Sequence, residues 1–263
     1  MGGVVIFILL AVVLWPKGQP AMMAPALTGK TNAGQLYAEA LNLKQNGDLL
    51  KAKEIYQKIL SDFSDYEKID VIQKELDDLN IRIIFSNTPA PKTLIHEVQT
   101  GDTLGGIAQK YGTTMDLIKI GSHLSGNVIR VGQKLRIWKG NFNIFVDKSQ
   151  NILILKDGEE VVKTYRVATG QNNSTPVGQF KIINKLVDPV WFNKGIVVPP
   201  ESPANVLGSR WMGFDIPGYG IHGTIEPETI GKQTTAGCVR MVNQDAEELY
   251  TIVPIGTPVV IVD

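Results

Sequence analysis

The sequence predicts a multidomain chain. A mainly-β, sandwich-like or barrel-like domain closes it, preceded by a small strand–helix–helix–strand module, an α-helical segment and a hydrophobic N-terminal run. Three observations carry this. From Asn141 onward apolar and polar residues alternate in short runs broken by turn residues, the pattern of half-buried strands. Between Ala33 and Phe85 apolar residues recur at helical spacing instead. From Val4 to Trp15 the chain is wholly apolar, and Pro16 and Lys17 end the run.

That run falls short of the roughly 20 residues a spanning helix needs and is nearer the apolar region of an export signal. No Lys or Arg precedes it, and Pro25 interrupts the small-residue stretch "AMMAPAL" where cleavage would fall. Residues 1–17 are therefore read as an export segment, an uncleaved membrane anchor in preference to a cleaved leader. Both place the remainder outside the cytoplasm, in the periplasm or cell wall. Residues 18–32, rich in Pro, Gly, Ala and Thr, read as a linker.

Residues 33–85 are predicted helical. Leu36, Ala40 and Leu43 share one face, "NGD" from Asn46 to Asp48 breaks it, and Ala52, Ile55, Tyr56 and Ile59 begin a second. A third helix is predicted over Glu67 to Phe85. The hairpin resembles one tetratricopeptide-type unit. A single unit cannot bury its own face, so it is expected to pack on the third helix or on a partner and to serve as a spacer. A second linker, residues 86–94, holds "SNTPAPK".

Residues 95–139 read as a strand at His96 to Val98, a turn at Gly101-Asp102, helices at Thr103 to Tyr111 and Thr114 to Ile120, and a closing strand "VGQKLRIW". On "V-x-x-GDTL-x-x-IA" and "IRVGQKL" the stretch resembles a LysM domain, a βααβ module. The resemblance implies binding to the N-acetylglucosamine-containing glycan of peptidoglycan or chitin. Ser122 stands where that family usually has Asn. His96 and His123 are expected to be ordinary strand or surface residues, neither with a neighbour at metal-ligand spacing.

The last domain, residues 141–263, begins with strands in "FNIFVDKSQNILILKDGEEVVKTYRVATG", turning at Lys148 to Gln150 and at Asp157-Gly158. "TPVGQFKII" is a Pro-Gly turn feeding a strand, and "GTPVVIVD" is a buried closing strand. Many short strands of this kind predict a sandwich or barrel-like body. Between Lys185 and Ala204 lies a Pro-rich insertion, too long for a plain connection and expected to act as a lid or binding loop. Trp191, Trp211 and Tyr219 are the candidate substrate-lid residues.

Lys+Arg and Asp+Glu balance at 26 each, which offers no polyanion-binding surface and excludes nucleic acid as the expected partner. A single Cys excludes an intrachain disulfide framework and a multi-thiolate zinc site. A lone Cys is more often a small buried apolar residue. Cys238, however, stands in "TTAGCVRM", downstream of His222, one of three histidines. An imidazole beside a thiol can take its proton and depress its pKa by several units from about 8.5. Gly223 leaves room beside the imidazole, Gly237 lets backbone approach a carbonyl, amides around Cys238 could form an oxyanion hole, and Arg240 adds positive charge. Spacing alone leaves the inert and catalytic readings both open.

Residues 141–263 resemble an L,D-transpeptidase catalytic domain of the YkuD type. The signature HG…S-x-G-C-x-R reads here His222-Gly223, then Thr235-Ala236-Gly237-Cys238-Val239-Arg240, with Thr235 in place of the usual Ser. "VATG" at Val167, "TPVG" at Thr175, "NVLGSRW" at Asn205 and "YGIHGT" at Tyr219 extend the match. The resemblance implies Cys238 as nucleophile, His222 as general base and then acid, and the Gly223 carbonyl as the group orienting it. Thr235, Gly237 and Arg240 become support for the oxyanion hole or substrate. It implies attack at the L-centre of the third residue of a peptidoglycan stem, loss of D-Ala, and transfer to an acceptor amine as a 3→3 crosslink or protein attachment. No metal or cofactor is implied. The expected partners are stem peptides, glycan strands and, through the N-terminal segment, the membrane. Hydrolysis of the same acyl-enzyme, as an L,D-carboxypeptidase or endopeptidase, and a non-catalytic wall anchor are the alternatives. A fast thiol with depressed pKa would support catalysis.

Overall fold

A computed structural model describes residues 32–193 and 195–263. The expected anchor and nearly all of the linker after it lie outside these residues. Among the described residues no helix is long and apolar enough to cross a membrane.

Helices α1 (Ala33–Gln45) and α2 (Leu49–Asp62) form the expected hairpin, and α3 (Ile69–Phe85) packs along α2. Ala52, Tyr56 and Ile59 of α2 and Ile72, Leu76, Leu79 and Ile83 of α3 are buried at helical spacing. The next module is β1 (Thr93–Glu97), α4 (Leu104–Tyr111), α5 (Met115–Gly121) and β2 (Lys134–Trp138), with β1 and β2 antiparallel. Thr103 and Thr114 cap the two helices by accepting from the N–H groups of Gly106 and Leu117. His96 is buried rather than superficial. It contacts Asp102 at 2.8 Å and the Tyr111 hydroxyl at 3.1 Å, bracing the Gly101-Asp102 turn.

The C-terminal domain runs β3 (Phe142–Asp147), β4 (Ile152–Asp157), β5 (Glu160–Arg166), β6 (Thr169–Gly170), β7 (Gly178–Val187), β8 (Trp191–Asn193), β9 (Ile196–Val198), β10 (Arg210–Phe214), β11 (Gly220–His222), β12 (Gln233–Thr235), β13 (Val239–Arg240), α6 (Asn243–Ile252) and β14 (Pro258–Val262). Of the sandwich-like and barrel-like bodies expected, the two-sheet sandwich is not what forms. One mixed sheet has the order β13-β11-β10-β7-β14-β3-β4-β5. The reason lies in β7. Its start, Gly178 to Lys181, pairs with β14, and its remainder, from Ile182 to Val187, pairs with β10, so one strand joins both halves. Alternation still sorts the faces: Ile144, Val146, Leu153, Leu155, Val259 and Ile261 are buried. Helix α6 lies against β10 and β11 and buries Ala246, Leu249 and Ile252.

The helical segment is no free spacer. β5 is a sheet edge, whose unpaired backbone groups invite another strand. Helix α3 answers them with side chains: Asp77 accepts from the Thr164 N–H at 2.9 Å, and Asn80 donates to the Val162 carbonyl at 3.0 Å. Burial pushes the Asp77 carboxyl above its usual range, against the hydrogen bonds it accepts. Arg136 of β2 donates to the carbonyls of Ile84 (2.8 Å) and Ile83 (3.0 Å) at the end of α3. Residues of α1–α3, Leu117, Trp138 and the C-terminal domain share one core. Replacing Arg136 by methionine is expected to lower unfolding free energy by about 2–3 kcal/mol in urea melts, because two buried carbonyls lose their donor. A change within about 0.5 kcal/mol, the range of an ordinary surface substitution, would mean this joint holds nothing.

Candidate active site

His222 ends β11, and Cys238 directly precedes β13. The two strands run parallel, with Ile221 opposite Val239 and His222 opposite Arg240. Ile221 and Val239 face the core at 0% exposure. Strand alternation therefore puts His222, Cys238 and Arg240 together on the other side, with thiol and imidazole on neighbouring strands two residues out of step.

The imidazole is fixed. Its Nδ1 lies 2.6 Å from the Gly223 carbonyl, which can only accept, so Nδ1 carries the proton and, in the neutral ring, Nε2 is the unprotonated nitrogen. The Trp211 ring stacks on it with centroids 6.1 Å apart. Burial pulls its pKa down to about 4, with the Gly223 bond and, more weakly, the Leu207 backbone pulling back and the Arg240 charge adding to the drop. Cys238 is partly exposed, and its Sγ lies 3.5 Å from the Gly218 carbonyl. Burial pushes the thiol above its ordinary value, against the Gly220 N–H and the Arg240 charge. The expected depressed thiol is thus corrected. Desolvation favours the neutral thiol and the neutral imidazole over their charged forms.

The turn that presents Cys238 is built by Thr235 and Gly237. The Thr235 hydroxyl donates to the Cys238 carbonyl at 2.7 Å and accepts from the Gly237 N–H at 3.1 Å. That N–H is therefore turned away from any oxyanion, and Gly237 contributes conformation, at φ +135°. Thr235→Val should leave both backbone groups unpaired and cost about 2 kcal/mol, whereas Thr235→Ser should stay within about 0.5 kcal/mol. Thermal unfolding of the two variants checks this. Equal losses would refute the hydroxyl's role.

Arg240 also departs from expectation. Its Nη1 donates to Glu226 (2.7 Å) and the Thr229 hydroxyl (3.0 Å), which ties down the loop after His222, while its buried Nε has no hydrogen-bond partner among the described residues. "VATG" and "TPVG" meet at Gly170, whose N–H donates to the Thr175 hydroxyl at 2.7 Å and which abuts Gly237.

Beside Cys238 lies a cleft of about 340 Å³ walled by Val190, Trp191, Phe192, Leu207 and Trp211. Trp191 and Trp211 are where a lid was expected. Tyr219 instead lies against Gly237, where a Cβ would fall 2.7 Å from its ring. The β8–β9 hairpin forms the outer wall. Asn205, 2% exposed, secures it by donating to the carbonyls of Pro189 (2.8 Å) and Pro199 (3.2 Å). Sequence reasoning passed over Asn205, and its only signal was membership of "NVLGSRW". It also passed over Asn243, which accepts from the N–H groups of Ser209 and Thr224 beside the histidine.

Known proteins resemble this chain over the residues that hold the cleft. The L,D-transpeptidase catalytic domain profile (YkuD) matches residues 141–261, and the LysM domain profile matches residues 96–138. YqjB of Bacillus subtilis (strain 168) is 39% identical over 130 residues, covering 47% of this chain and 73% of that protein. YkuD of Bacillus licheniformis is 34% identical over 174 residues, 63% of this chain and 97% of its own. YkuD of Bacillus subtilis is 34% identical over 176 residues, 64% and 98% respectively. All three carry the name "Putative L,D-transpeptidase". A solved L,D-transpeptidase from Mycobacterium smegmatis aligns over 51% of this chain and 65% of its own length, just under two thirds. At 19% identity and a TM-score of 0.41 it adds nothing further. The relatives matched over most or nearly all of their length, with the catalytic-domain profile spanning His222 to Arg240, decide the matter: the chain belongs to the L,D-transpeptidase family of YkuD type and carries a LysM domain ahead of the catalytic domain.

Proposed function

We propose that the protein is a cysteine-dependent peptidoglycan L,D-transpeptidase acting outside the cytoplasm. The observation that carries this is the His222 Nδ1–H held on the Gly223 carbonyl, which leaves Nε2 as a base on the side of the sheet that holds Cys238. As the sulfur attacks the carbonyl of the third stem residue, Nε2 takes the thiol proton. The imidazolium gives that proton to the departing D-Ala amine. The acceptor amine then attacks the thioester, its proton passes to Nε2, and the thiolate leaves and is reprotonated. The apolar walls formed by Trp191, Phe192 and Trp211 support transfer over hydrolysis by excluding water. The LysM module holds glycan and raises the local concentration of stems. The apolar run at Val4 to Trp15 tethers the chain to the membrane.

The test is incubation of the compact unit, residues 33–263, with a disaccharide-tetrapeptide, read by mass spectrometry beside Cys238→Ala. Crosslinked dimers with loss of D-Ala, absent in the variant, are expected. Tripeptide monomers alone would make the protein a hydrolase, and unchanged substrate would leave a wall-binding protein with a silent site.

A further inference from the structure

Asn243 opens α6, half-buried, on an element that supplies no other group to the site. Its Oδ1 accepts from Thr224 N at 2.9 Å and from Ser209 N at 3.1 Å. The first bond is the informative one. The Thr224 N–H and the Gly223 C=O belong to one peptide group, which is planar and trans, so its N–H and C=O point in opposite directions. The C=O end receives the His222 Nδ1–H at 2.6 Å. The plane is thus pinned at both ends, in the order Asn243 Oδ1, Thr224 N–H, Gly223 C=O, His222 Nδ1–H. A donor engaged at one end of an amide also polarises the acceptor at the other.

The surroundings are shaped for this oxygen. A Cβ on Gly223 would sit 2.2 Å from Asn243 Oδ1, and so would one on Gly208, which has φ +63°. Glycine at 223 therefore makes room for this oxygen, and glycine at 208 for the oxygen and for the Gly223–Thr224 peptide itself, since a Cβ there would fall 2.3 Å from Thr224 N. Ser209 N–H, just after Gly208, is its second donor, so the oxygen is held by two strands' ends at once.

We propose that Asn243 is a positioning residue, which acts through the Gly223–Thr224 peptide to hold His222 in the Nδ1–H tautomer with Nε2 free. This rests on the reading of His222 as the base. Asn243 then takes, one peptide removed, the part that an acidic side chain plays in triads where the third group contacts the imidazole directly. Loss of the carboxamide frees the peptide plane to tilt and the ring to exchange tautomers, and every ring in the Nε2–H form has no base facing the thiol.

The test reads the tautomer without any substrate. The protein has three histidines. Long-range proton–nitrogen NMR of histidine-labelled protein distinguishes the two ring nitrogens, and His222→Gln assigns the signal. Wild type and Asn243→Asp, which keeps the acceptor, should show the Nδ1–H form alone. Asn243→Ala should show mixed or exchanging forms and a kcat lower in proportion to the Nδ1–H fraction lost, about twofold for an even mixture, with KM unchanged. Should Asn243→Ala not fold, Asn243→Ser, too short to reach both amides, is read in its place. Asn205→Ala, a loss of another buried carboxamide with no bond to this peptide, should reduce stability and leave the tautomer intact. A pure Nδ1–H signal in folded Asn243→Ala or Asn243→Ser, or the same mixture in Asn243→Asp, overturns the proposal. Failure of the wild type to act on peptide would count against the transpeptidase reading and leave this result standing.

Discussion

His222→Gln is expected to slow acylation of Cys238 by about 10³-fold or more at neutral pH with the fold intact, near the upper end for loss of a general base. Burial holds the thiol above its ordinary pKa, so the protonated thiol is favoured at neutral pH. The proton must leave as the sulfur attacks, and Nε2 of His222 is the group on that side of the sheet able to accept it. Without it, deprotonation falls to hydroxide. The pH profile separates the two routes. Above a pKa of about 4 the imidazole is unprotonated, so wild-type acylation should already be level by mildly acidic pH. The variant should instead gain about tenfold per pH unit, the slope of a hydroxide-driven step. Single-turnover acylation followed by intact-mass measurement gives both curves. A variant within tenfold of wild type, or parallel profiles, would remove His222 from the proton path.

The same residue links stability to acidity. Its folded pKa of about 4 lies below the ordinary value of 6.5, so the unfolded chain binds the extra proton first. Its contribution is complete above about pH 6.5 and is lost as pH falls toward 4, amounting to about 3 kcal/mol. Asp77 and Asp245 act in the opposite sense. Burial raises both carboxyls, so their favourable share is present at low pH and fades as pH rises through their elevated values. The difference between wild type and His222→Gln in denaturant melts isolates the histidine.

Much of this site could be picked out of the sequence because it is written in contiguous signals. "TTAGCVRM" and "YGIHGT" mark the two strands that meet, and the helix caps Thr103 and Thr114 fall at the starts of the predicted helices. What escaped is set by distant partners. Arg240 reads as a free cation until Glu226, brought back by a loop, takes it. Asp77 and Asn80 look like a solvated helix face, yet their partners are Thr164 and Val162 on a sheet edge. Alternation predicts strands but not that β7 divides its length between two neighbours. Spacing alone cannot set a thiol beside an imidazole, and the direction of its pKa depends on how dry the assembled cleft is. Asn243 sits in "RMVNQD", where nothing local tells a helix-start asparagine from one reaching across to a catalytic peptide.

Gly237→Ala should damage both the fold and the aim of the nucleophile. At φ +135° the backbone is in a region that a residue with a Cβ enters only under strain, on the order of 1–3 kcal/mol. The added carbon would also stand 2.7 Å from Tyr219 Cε1 and 3.3 Å from the Ser174 carbonyl oxygen, one a ring edge packed in the core and the other main chain. Relief by rotation of this peptide would break the Gly237 N–H bond to Thr235 and with it the turn that aims the sulfur. A loss of about 2–4 kcal/mol in stability follows from strain and overpacking together. Acylation of the folded fraction should fall by about 10²-fold, since a displacement on the order of 1 Å is enough for that. Gly256→Ala is the matched control. It has φ +92° and open space around the position, so it carries backbone strain without a clash and lies outside the cleft. It should lose stability and keep its acylation rate. Tyr219→Ala combined with Gly237→Ala should regain part of the stability but little of the rate, because the φ strain and the misdirected turn persist. If Gly237→Ala acylates like wild type once folded, the turn does not aim Cys238, and the site must tolerate more freedom at the nucleophile than its hydrogen bonds imply.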